Sequence, residues 1–560
     1  MLAARVSRGA AAVSIAIGLV VASAVVPSAR AADAGPVEVA IIAPIVAPPG
    51  TTGLIPADLL EQYTSPTGLL SRQLDAVAGR PVTIAIDPMI LASIRVLGTG
   101  APTSALAWLD SLETATNESF LLPYADSDVT LATQAGSSTV LGPEGFGFAI
   151  DPTLFGPAEP TPTPTPTEAP DEDAAPALPT TEDLLAWDSD FPTTIWPREG
   201  TVASSDLGAF AASGFDTVIL SSGNVSRDPT SGPSVDLEGT PTIVTDDTVS
   251  AALRAAATSL TPEELQAALP GLQSAIAQAG AVQDGQASVV ASLDRAVAVT
   301  GSSVALTIAS LSADAAITLV PLSDALDGST GGPATLVDGA QDAERVAVVS
   351  RLIDAESAES RFATILADPS TLTAPRQLEV LGLLSIGWKD NTAGWAAATD
   401  DFLAASADLL DAVQVVTTST FTLLADNATL PIPIRNDLAQ AVTVYVTVRP
   451  ETAQLAVTDS LVEVTIEPNS QAKAQIPVQA ITNGSVQVLI TLTSAAGIGI
   501  GQPAVTEINV QAGWETPIVL VLAGIVVLVF AVGIVRNILR RRRTPDAEPT
   551  GDEPADGGDG

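Results

Sequence analysis

Short apolar runs alternate with stretches of helical spacing between residues 37 and 320. The clearest runs are VEVAIIAP at 37–44 and VTIAI at 82–86, and a helix-like stretch follows at 103–116. Further strand candidates lie at 120–122, 146–150, 193–196, 217–220, 242–244 and 317–320. Buried strands that alternate with helices are typical of α/β units around a mostly parallel sheet. Their number predicts a (β/α) barrel-like domain over residues 33–337, complete or incomplete.

A Thr-Pro repeat interrupts this alternation. Within residues 157–179 the chain reads TPTPTPTEAP and then DEDAAP. Repeated Thr-Pro favours extended polyproline conformation, and the acidic residues keep such a segment solvated. We expect a disordered surface insertion between two β/α units, with an interdomain linker as the alternative.

The pattern changes twice in the C-terminal half. Residues 338–413 are rich in Ala and Leu with few Gly and Pro, which predicts a helical segment packed on the α/β domain. Trp388 and Trp395 lie at a helix junction there, as core residues or as a sugar-stacking platform. From residue 414 to 512 the period is two, as in AVTVYVTV at 441–448. Many short strands separated by turn residues predict an immunoglobulin-like β-sandwich, so the chain reads as multidomain α/β plus all-β.

Both ends of the chain carry membrane-related patterns. Residues 1–32 read as a signal peptide, with Arg5 and Arg8 before an apolar core and a small-x-small cleavage pattern at its end; an uncleaved anchor is the alternative. Residues 517–535 contain no charge and are long enough for one transmembrane helix. Trp514 precedes that helix as an interfacial aromatic residue. The basic residues that follow are Arg536, Arg540, Arg541, Arg542 and Arg543.

This basic cluster predicts the orientation in the membrane. Lys and Arg mark the cytoplasmic side of a transmembrane helix, so we expect a single-pass protein of the cell membrane with its N-terminal ectodomain outside. Residues 536–560 then form the cytoplasmic basic cluster and a disordered acidic tail. Stop-transfer explains the arginines, and binding of anionic lipid headgroups is a further role open to them.

Composition excludes several classes of function. The chain has a net charge of −41 and contains no Cys and no His. Without Cys there is no disulfide framework, and without His there is no Ser-His-Asp system, His-ligated zinc or His general base. Metal-dependent polysaccharide deacetylation is excluded for the same reason. The acidic balance argues against a nucleic-acid partner, and no cofactor or metal is indicated.

Four carboxylates at strand ends are the candidate ligand-binding residues. Asp87 follows the run at 82–86, Asp126 and Asp128 follow the run that begins at 120, and Asp151 follows 146–150. Function in β/α folds lies at the carboxyl ends of strands. Converging carboxylates would suit a glycosidase pair or a hard cation such as Ca²⁺. The alternative is helix capping, for which Asp is favoured, and no residue is assigned as catalytic.

Several stretches together resemble one known group. They are VTIAIDP (82–88), Trp108, LLPYADSDV (121–129), TIWPREG (194–200), GFDTVILSS (214–222), PIPIRNDL (431–438) and the terminal apolar helix with its arginines. In these stretches and their order, the chain resembles the DUF6049 family of actinobacterial membrane proteins, and the Thr-Pro insertion departs from that pattern. The resemblance implies a cell-envelope protein, since such proteins are often encoded beside the lipid II flippase, and it implies no reaction.

The expected function is therefore non-catalytic. We expect a membrane-anchored extracytoplasmic protein that binds a glycan or a peptidoglycan-synthesis partner such as the lipid II flippase, with the bilayer around its helix. The alternative is a carboxylate-dependent glycoside hydrolase that acts on envelope polysaccharide. Two carboxyls at a suitable separation in an open cleft would distinguish the hydrolase from the binding protein.

Overall fold

The structure, a computed structural model, describes residues 35–156, 178–283, 286–295, 301–327, 331–416, 421–423, 425, 427–511 and 515–541. The predicted signal peptide, residues 157–177 of the predicted insertion, Trp514, Arg542, Arg543 and the rest of the acidic tail lie outside these residues.

The N-terminal part is a mixed α/β domain. Its strands are β1 (Val37–Ile45), β2 (Thr83–Ile86), β3 (Ser119–Leu121), β4 (Thr194–Ile195), β5 (Thr217–Ser221), β6 (Val225–Arg227), β7 (Ser234–Leu237), β8 (Thr240–Thr245), β9 (Ser288–Ser292), β10 (Ile317–Leu319) and β11 (Gly332–Leu336). Its helices are α1 (Ala57–Thr64), α2 (Leu69–Val77), α3 (Pro88–Arg95), α4 (Thr103–Glu113), α5 (Val129–Gln134), α6 (Thr181–Leu185), α7 (Ser204–Ala212), α8 (Asp247–Ala257), α9 (Pro262–Ala281), α10 (Gly301–Ser312) and α11 (Leu322–Asp327).

Seven strands run parallel in the order β3-β2-β1-β9-β8-β5-β4. A parallel strand must be reached by a crossover, so helices separate most strands in the chain. Strand β10 pairs parallel with the start of β1. Strand β7 pairs antiparallel with β8 and parallel with β11, and β11 pairs antiparallel with β6. The carboxyl ends of the seven parallel strands therefore share one edge of the sheet.

This sheet is curled. Alternate side chains of the parallel strands point to an inner face, where Phe120 of β3 and Trp196 just after β4 belong to one buried cluster. Their ring centroids are 6.4 Å apart, although β3 and β4 are the two ends of the parallel series. The Asp190 N–H also donates to the Ser119 carbonyl oxygen at 2.9 Å. The opposite face of the sheet packs against the helices through residues such as Ile84.

The prediction of a strand at 146–150 is wrong. A short 3₁₀ helix, Gly147–Ala149, occupies this stretch. Phe146, Phe148 and Ile150 alternate as in a strand, yet only Phe146 enters the core, where it contacts the ring of Tyr124, while Phe148 is exposed. The apolar alternation misled the prediction because no described strand pairs with this stretch.

Three helices connect the α/β domain to the C-terminal strands: α12 (Ala343–Phe362), α13 (Ser370–Leu383) and α14 (Thr392–Leu410). They pack on α5 through a cluster that includes Leu131, Trp388 and Trp395. Both indoles are buried, and their N–H groups donate to the carbonyls of Gly382 and Leu383 at 2.9 Å. The interpretation of the two tryptophans as core residues is therefore confirmed over the sugar-stacking one.

The remaining strands form two facing sheets. They are β12 (Val413–Val415), β13 (Phe421–Leu423), β14 (Asn427–Asn436), β15 (Val442–Pro450), β16 (Leu455–Val457), β17 (Val462–Ile466), β18 (Ser470–Ala480), β19 (Gly484–Thr493) and β20 (Gly499–Val510). The sheets have the orders β12-β14-β18-β16 and β13-β20-β19-β15-β17. The alternation predicted for 441–448 is confirmed, because Val442 and Val444 are buried between the sheets while Thr443 and Tyr445 point outward. The same core takes in Phe362 of α12, which ties the sheets to the helices.

The last helix, α15 (Glu515–Arg541), is apolar. Its segment Val519–Arg541 has 23 residues, and among the described residues it is the one helix long and apolar enough to cross a membrane. At about 1.5 Å per residue this length exceeds the ~30 Å hydrocarbon core. The helix is thus compatible with a single-pass membrane protein, and it extends beyond the predicted end at 535 to include Arg536, Arg540 and Arg541.

Candidate functional site

A polar cavity of about 160 Å³ lies at the carboxyl ends of the parallel strands. Four segments line it: the residues that follow β4, helix α8, the residues that follow β9, and the 3₁₀ helix Ile386–Asp390 after α13. Its lining residues are Trp196, Arg198, Glu199, Arg254, Leu293, Asp294, Arg295, Ile386 and Lys389. Because ligands of open or closed parallel β/α sheets bind at this edge, we take this strand-end cavity as the candidate site.

Arg254 and Glu199 form a fixed pair on one wall. Both guanidinium amino groups donate to the Glu199 carboxylate, Nη1 to Oε2 at 2.8 Å and Nη2 to Oε1. The hydroxyl of Ser292 donates to Glu199 Oε1 at 2.9 Å, and Arg254 Nε donates to the Ser292 carbonyl at 3.1 Å. A two-pronged contact of this kind fixes orientation as well as charge. This carboxylate and this guanidinium are therefore held in place by each other and by β9.

Arg295 forms the floor between the cavity and the sheet interior. Its guanidinium lies 4.0 Å from the centroid of the Trp196 ring, and Nη1 donates to Asp126 Oδ1 at 2.9 Å. Nη2 donates to the carbonyl oxygens of Trp196 and Pro197, the latter at 3.2 Å. Arg295 is 5% exposed and Asp126 is 2% exposed. A buried ion pair needs such additional hydrogen bonds to offset the desolvation of both charges.

Two further cations line the cavity and are partly exposed to solvent. Lys389 Nζ lies 2.6 Å from Asp294 Oδ1, with the two side chains 25% and 33% exposed. Arg198 is 31% exposed, and its Nη1 lies 3.6 Å from Asp128 Oδ2. That separation permits a Coulombic attraction but is too long for a hydrogen bond. Arg198 and Lys389 are thus the least constrained basic groups of the cavity.

The structure buries three of the four predicted ligand-binding residues beneath this site. Asp87 is 1% exposed and caps α3, accepting the Met89 N–H at 2.9 Å. Burial raises the pKa of the Asp87 carboxyl to about 8, aided by the charge of Asp126 and opposed by the amides of Met89, Ala125 and Asp126. Ala125 and Asp126 have φ of 59° and 46°, in the left-handed region that non-glycine residues rarely adopt. The Asp87 carboxyl thus lies against an unusual turn that delivers Asp126 to Arg295.

Asp126 and Asp128 are ion-pair and capping residues. Burial raises the pKa of the Asp126 carboxyl to about 6, and Arg295 opposes that rise. Asp128 caps α5, accepting the Leu131 N–H at 3.2 Å and the Thr130 hydroxyl at 2.9 Å. The Gln341 amide donates to both of its oxygens, at 2.8 and 2.9 Å. These bonds occupy a carboxylate that is fully buried.

Asp151 does not join the other three. It is exposed and accepts the Thr153 N–H and hydroxyl at 3.0 and 2.7 Å within its own turn. These bonds hold the pKa of its carboxyl below the usual range. The residue caps the short helix Pro152–Leu154, and no strand precedes it. The structure therefore brings together Asp87, Asp126 and Asp128 and leaves Asp151 elsewhere.

The residues that line the strand-end cavity were missed by the sequence analysis. Trp196 ends the strand predicted at 193–196, and Arg198 and Glu199 follow it in TIWPREG, but only aspartates were considered at strand ends. Asp294 and Arg295 follow SVVAS, the run that forms β9, which was not among the predicted strands. Recognising that run as a strand would have drawn attention to both charges. In the described part of the chain, no group of three or more acidic side chains is arranged to hold a metal ion.

A larger cavity of about 700 Å³ lies beside the β3 edge, and its polar groups have structural roles. Asn117 donates to the carbonyls of Val77, Arg80 and Val82 at 2.7 to 3.1 Å. Ser119 receives the Trp187 indole N–H on its hydroxyl oxygen at 2.9 Å. Such contacts connect loops to the sheet, so this cavity is the weaker candidate.

Comparisons with known proteins bear on the family alone. The model of the "Family of unknown function (DUF6049)" matches residues 5–553. No curated protein sequence matches the chain. Among solved structures, the alpha-amylase AmyC from Thermotoga maritima is 12% identical, with 67% of this chain and 93% of that chain covered and a TM-score of 0.40. WR4, a C. elegans MSP family member, is 10% identical, with 18% and 99% covered and a TM-score of 0.14. These TM-scores are too low for the likenesses to carry an argument.

Proposed function

This chain belongs to the DUF6049 family of unknown function, and we propose that it is a non-catalytic binding protein of the cell envelope. In this proposal α15 anchors it in the cell membrane as a single-pass protein with its N-terminal part outside. The α/β domain is an incomplete (β/α) barrel, and the C-terminal sheets are an immunoglobulin-like sandwich that spaces it from the bilayer. The ligand is a glycan or a peptidoglycan-synthesis partner such as the lipid II flippase.

The observation that carries the proposal is the strand-end cavity. Polar and charged side chains from β4, α8, β9 and the 3₁₀ helix Ile386–Asp390 meet there. Its fixed walls favour binding, because side chains already held by partners lose little freedom when a ligand arrives. Its volume of about 160 Å³ is below the ~300 Å³ of small-molecule pockets. The cavity therefore suits one chemical group of a larger ligand, which favours a glycan over a protein partner.

Further support comes from the way the parts are joined. The curled sheet brings Phe120 of β3 and Trp196 just after β4 into one cluster, although β3 and β4 are the first and last strands of the parallel series. Helices α12–α14 share a core with the α/β domain on one side and with the sandwich on the other. Shared cores make these parts move together. A site on such a support is held at a fixed place relative to the C-terminal sheets.

The alternative, a carboxylate-dependent glycoside hydrolase, has less support. Hydrolysis needs two carboxyl groups roughly 5–10 Å apart at an open cleft. Asp87, Asp126 and Asp128 are at most 2% exposed, so they do not reach a glycosidic bond. Glu199 and Asp294 do line the cavity, but each is paired with a cation. Binding without turnover fits this arrangement better.

The experiment compares three forms of the full-length chain in detergent micelles: the native protein, Arg198→Glu, and Arg449→Glu as the control. Arg198 lines the cavity, whereas Arg449 is exposed on β15. Each form is used to capture proteins from solubilised membranes and to bind purified cell-wall glycan. We expect glycan binding without cleavage, weakened by Arg198→Glu and unchanged by Arg449→Glu. Capture of envelope proteins with no glycan binding would instead identify a protein partner. Release of glycan fragments would contradict the non-catalytic proposal.

A further inference from the structure

The strand-end cavity concentrates basic residues in a strongly acidic protein. The whole chain has 23 Lys and Arg against 64 Asp and Glu. The lining of the cavity contains four basic residues, Arg198, Arg254, Arg295 and Lys389, and two carboxylates, those of Glu199 and Asp294. Two more carboxylates, Asp126 and Asp128, lie beneath the lining and pair with Arg295 and Arg198. The composition of the cavity is thus the reverse of the composition of the chain. Since a general acidic surface needs no such concentration, the cavity calls for its own explanation.

Building on the proposed function, we propose that the strand-end cavity binds an anionic group of its ligand, a phosphate or a carboxylate, through Arg198 and Lys389. The guanidinium groups of Arg254 and Arg295 already donate hydrogen bonds to Glu199, Ser292, Asp126 and main-chain carbonyls. These two residues therefore form part of the cavity wall. Arg198 and Lys389 retain donors for a ligand.

The contacts of Arg198 show how an anion is accommodated. Its ion pair with Asp128 is 3.6 Å long, and within the described residues the guanidinium makes no hydrogen bond. Asp128 itself is satisfied by Gln341, Thr130 and the Leu131 N–H. A ligand oxygen at hydrogen-bond distance therefore gains the donors of Arg198 without leaving Asp128 unpaired. Such a charge-assisted bond is about twice as strong as a neutral one.

Lys389 supplies the second contact from another element of the fold. It belongs to the 3₁₀ helix after α13, whereas Arg198 follows β4, so the two cations come from different parts of the fold. Lys389 pairs with Asp294, and both side chains are partly exposed. Exposed ion pairs of this kind contribute little on their own, so a ligand anion can share the ammonium group. A cavity of about 160 Å³ limits the bound part to one such group.

The test measures binding of inorganic phosphate, acetate and the neutral sugar N-acetylglucosamine to the full-length chain in detergent micelles. Titration calorimetry at constant ionic strength compares the native protein with Arg198→Gln, Lys389→Gln and the control Arg449→Gln. We expect phosphate or acetate to bind the native chain, and each cavity variant to weaken that binding about tenfold or more, as expected for loss of a hydrogen bond to a charged group. Arg449→Gln should change it less than twofold, and Arg198→Lys should restore part of it.

The outcomes separate this inference from the proposed function. Preference for phosphate identifies a phosphorylated ligand and preference for acetate an acidic sugar; both support the inference. Equal binding of anions to the native chain and to both cavity variants overturns it, because the anion then binds elsewhere. It also falls if cell-wall glycan binds in the cavity while neither anion binds or competes, and the proposed function then stands. If the anions bind the cavity but neither glycan nor partner does, the inference stands and the proposed function falls.

Discussion

The buried carboxyl of Asp87 gives a prediction that depends only on the α/β domain. Its pKa is about 8 in the folded protein, mainly through burial, against about 3.9 for Asp in an unfolded chain. Between these values the folded state holds a proton that the unfolded state has released. Each unit of pH then lowers the free energy of unfolding by about 1.4 kcal/mol. The stability that the protonated Asp87 carboxyl contributes is fully present below about pH 3.9, the pKa in the unfolded chain. It is lost as the pH rises to about 8, the pKa in the folded protein.

The substitution Asp87→Asn removes the titration but keeps the shape. Asn can still accept the Met89 N–H that Asp87 accepts. From pH 6 to pH 7.5, the variant should therefore gain about 2 kcal/mol of stability relative to the native chain. The window begins at the pKa of Asp126, about 6, but Asp126 is present in both the variant and the native chain, so its own titration largely cancels in the comparison. Any constant effect of the substitution cancels in the comparison of the two pH values.

The assay is urea unfolding of the full-length chain in detergent micelles, followed by tryptophan fluorescence. Trp108, Trp187, Trp196, Trp388 and Trp395 all lie in the α/β domain or its helices, and the sandwich strands contain none. Asp151→Asn is the matched control, because Asp151 also caps a helix but is exposed; its lowered pKa places its titration below this pH window. A stability difference between Asp87→Asn and native chain that is equal at pH 6 and pH 7.5 would refute the reasoning.

Three further predictions concern other parts of the chain. Asn436 is fully buried: its amide shares two hydrogens among three carbonyl oxygens, and its oxygen accepts the N–H of Leu438. Asn436→Ala should therefore cost about 3 kcal/mol or more, measured as earlier loss of sheet signal by circular dichroism on heating. An unchanged transition would contradict this. Arg376→Ala should lower the free energy of unfolding by about 3–5 kcal/mol, because it leaves the buried Glu359 carboxylate unpaired. Equal urea midpoints for the variant and the native chain would show that this ion pair is dispensable. Because the chain has no Cys, Asp459→Cys should react with an impermeant maleimide on intact cells and Thr544→Cys should not; the reverse pattern would invert the proposed topology.

The elements that the sequence predicts well are those with a strong local pattern. The period of two around Val442 and Val444 follows directly from burial of one strand face. The apolar run at 37–44 has no period and is buried along most of its length, as expected for a central parallel strand. The stretch at 146–150 fails because its alternation has no partner strand to pair with.

The candidate site was harder to predict because it depends on long-range contacts. Aspartates at strand ends were a reasonable choice, yet Asp87 and Asp128 are capping residues, as the alternative interpretation held. The cavity joins Glu199, Arg254 and Lys389, which are far apart in the chain and share no motif. Only the parallel order of β4, β8 and β9 and the docking of the helices bring them together. Local sequence patterns do not contain that information.

The most direct test of the proposed function asks whether a ligand occupies the strand-end cavity. Asp294 lines it and is partly exposed, so Asp294→Cys introduces the chain's single thiol there, and Asp459→Cys on the sandwich is the control. The rate of maleimide labelling is measured on the full-length chain with and without cell-wall glycan. We expect the glycan to slow labelling of Asp294→Cys several-fold and to leave labelling of Asp459→Cys unchanged. Unchanged labelling of both variants while glycan is bound would contradict it.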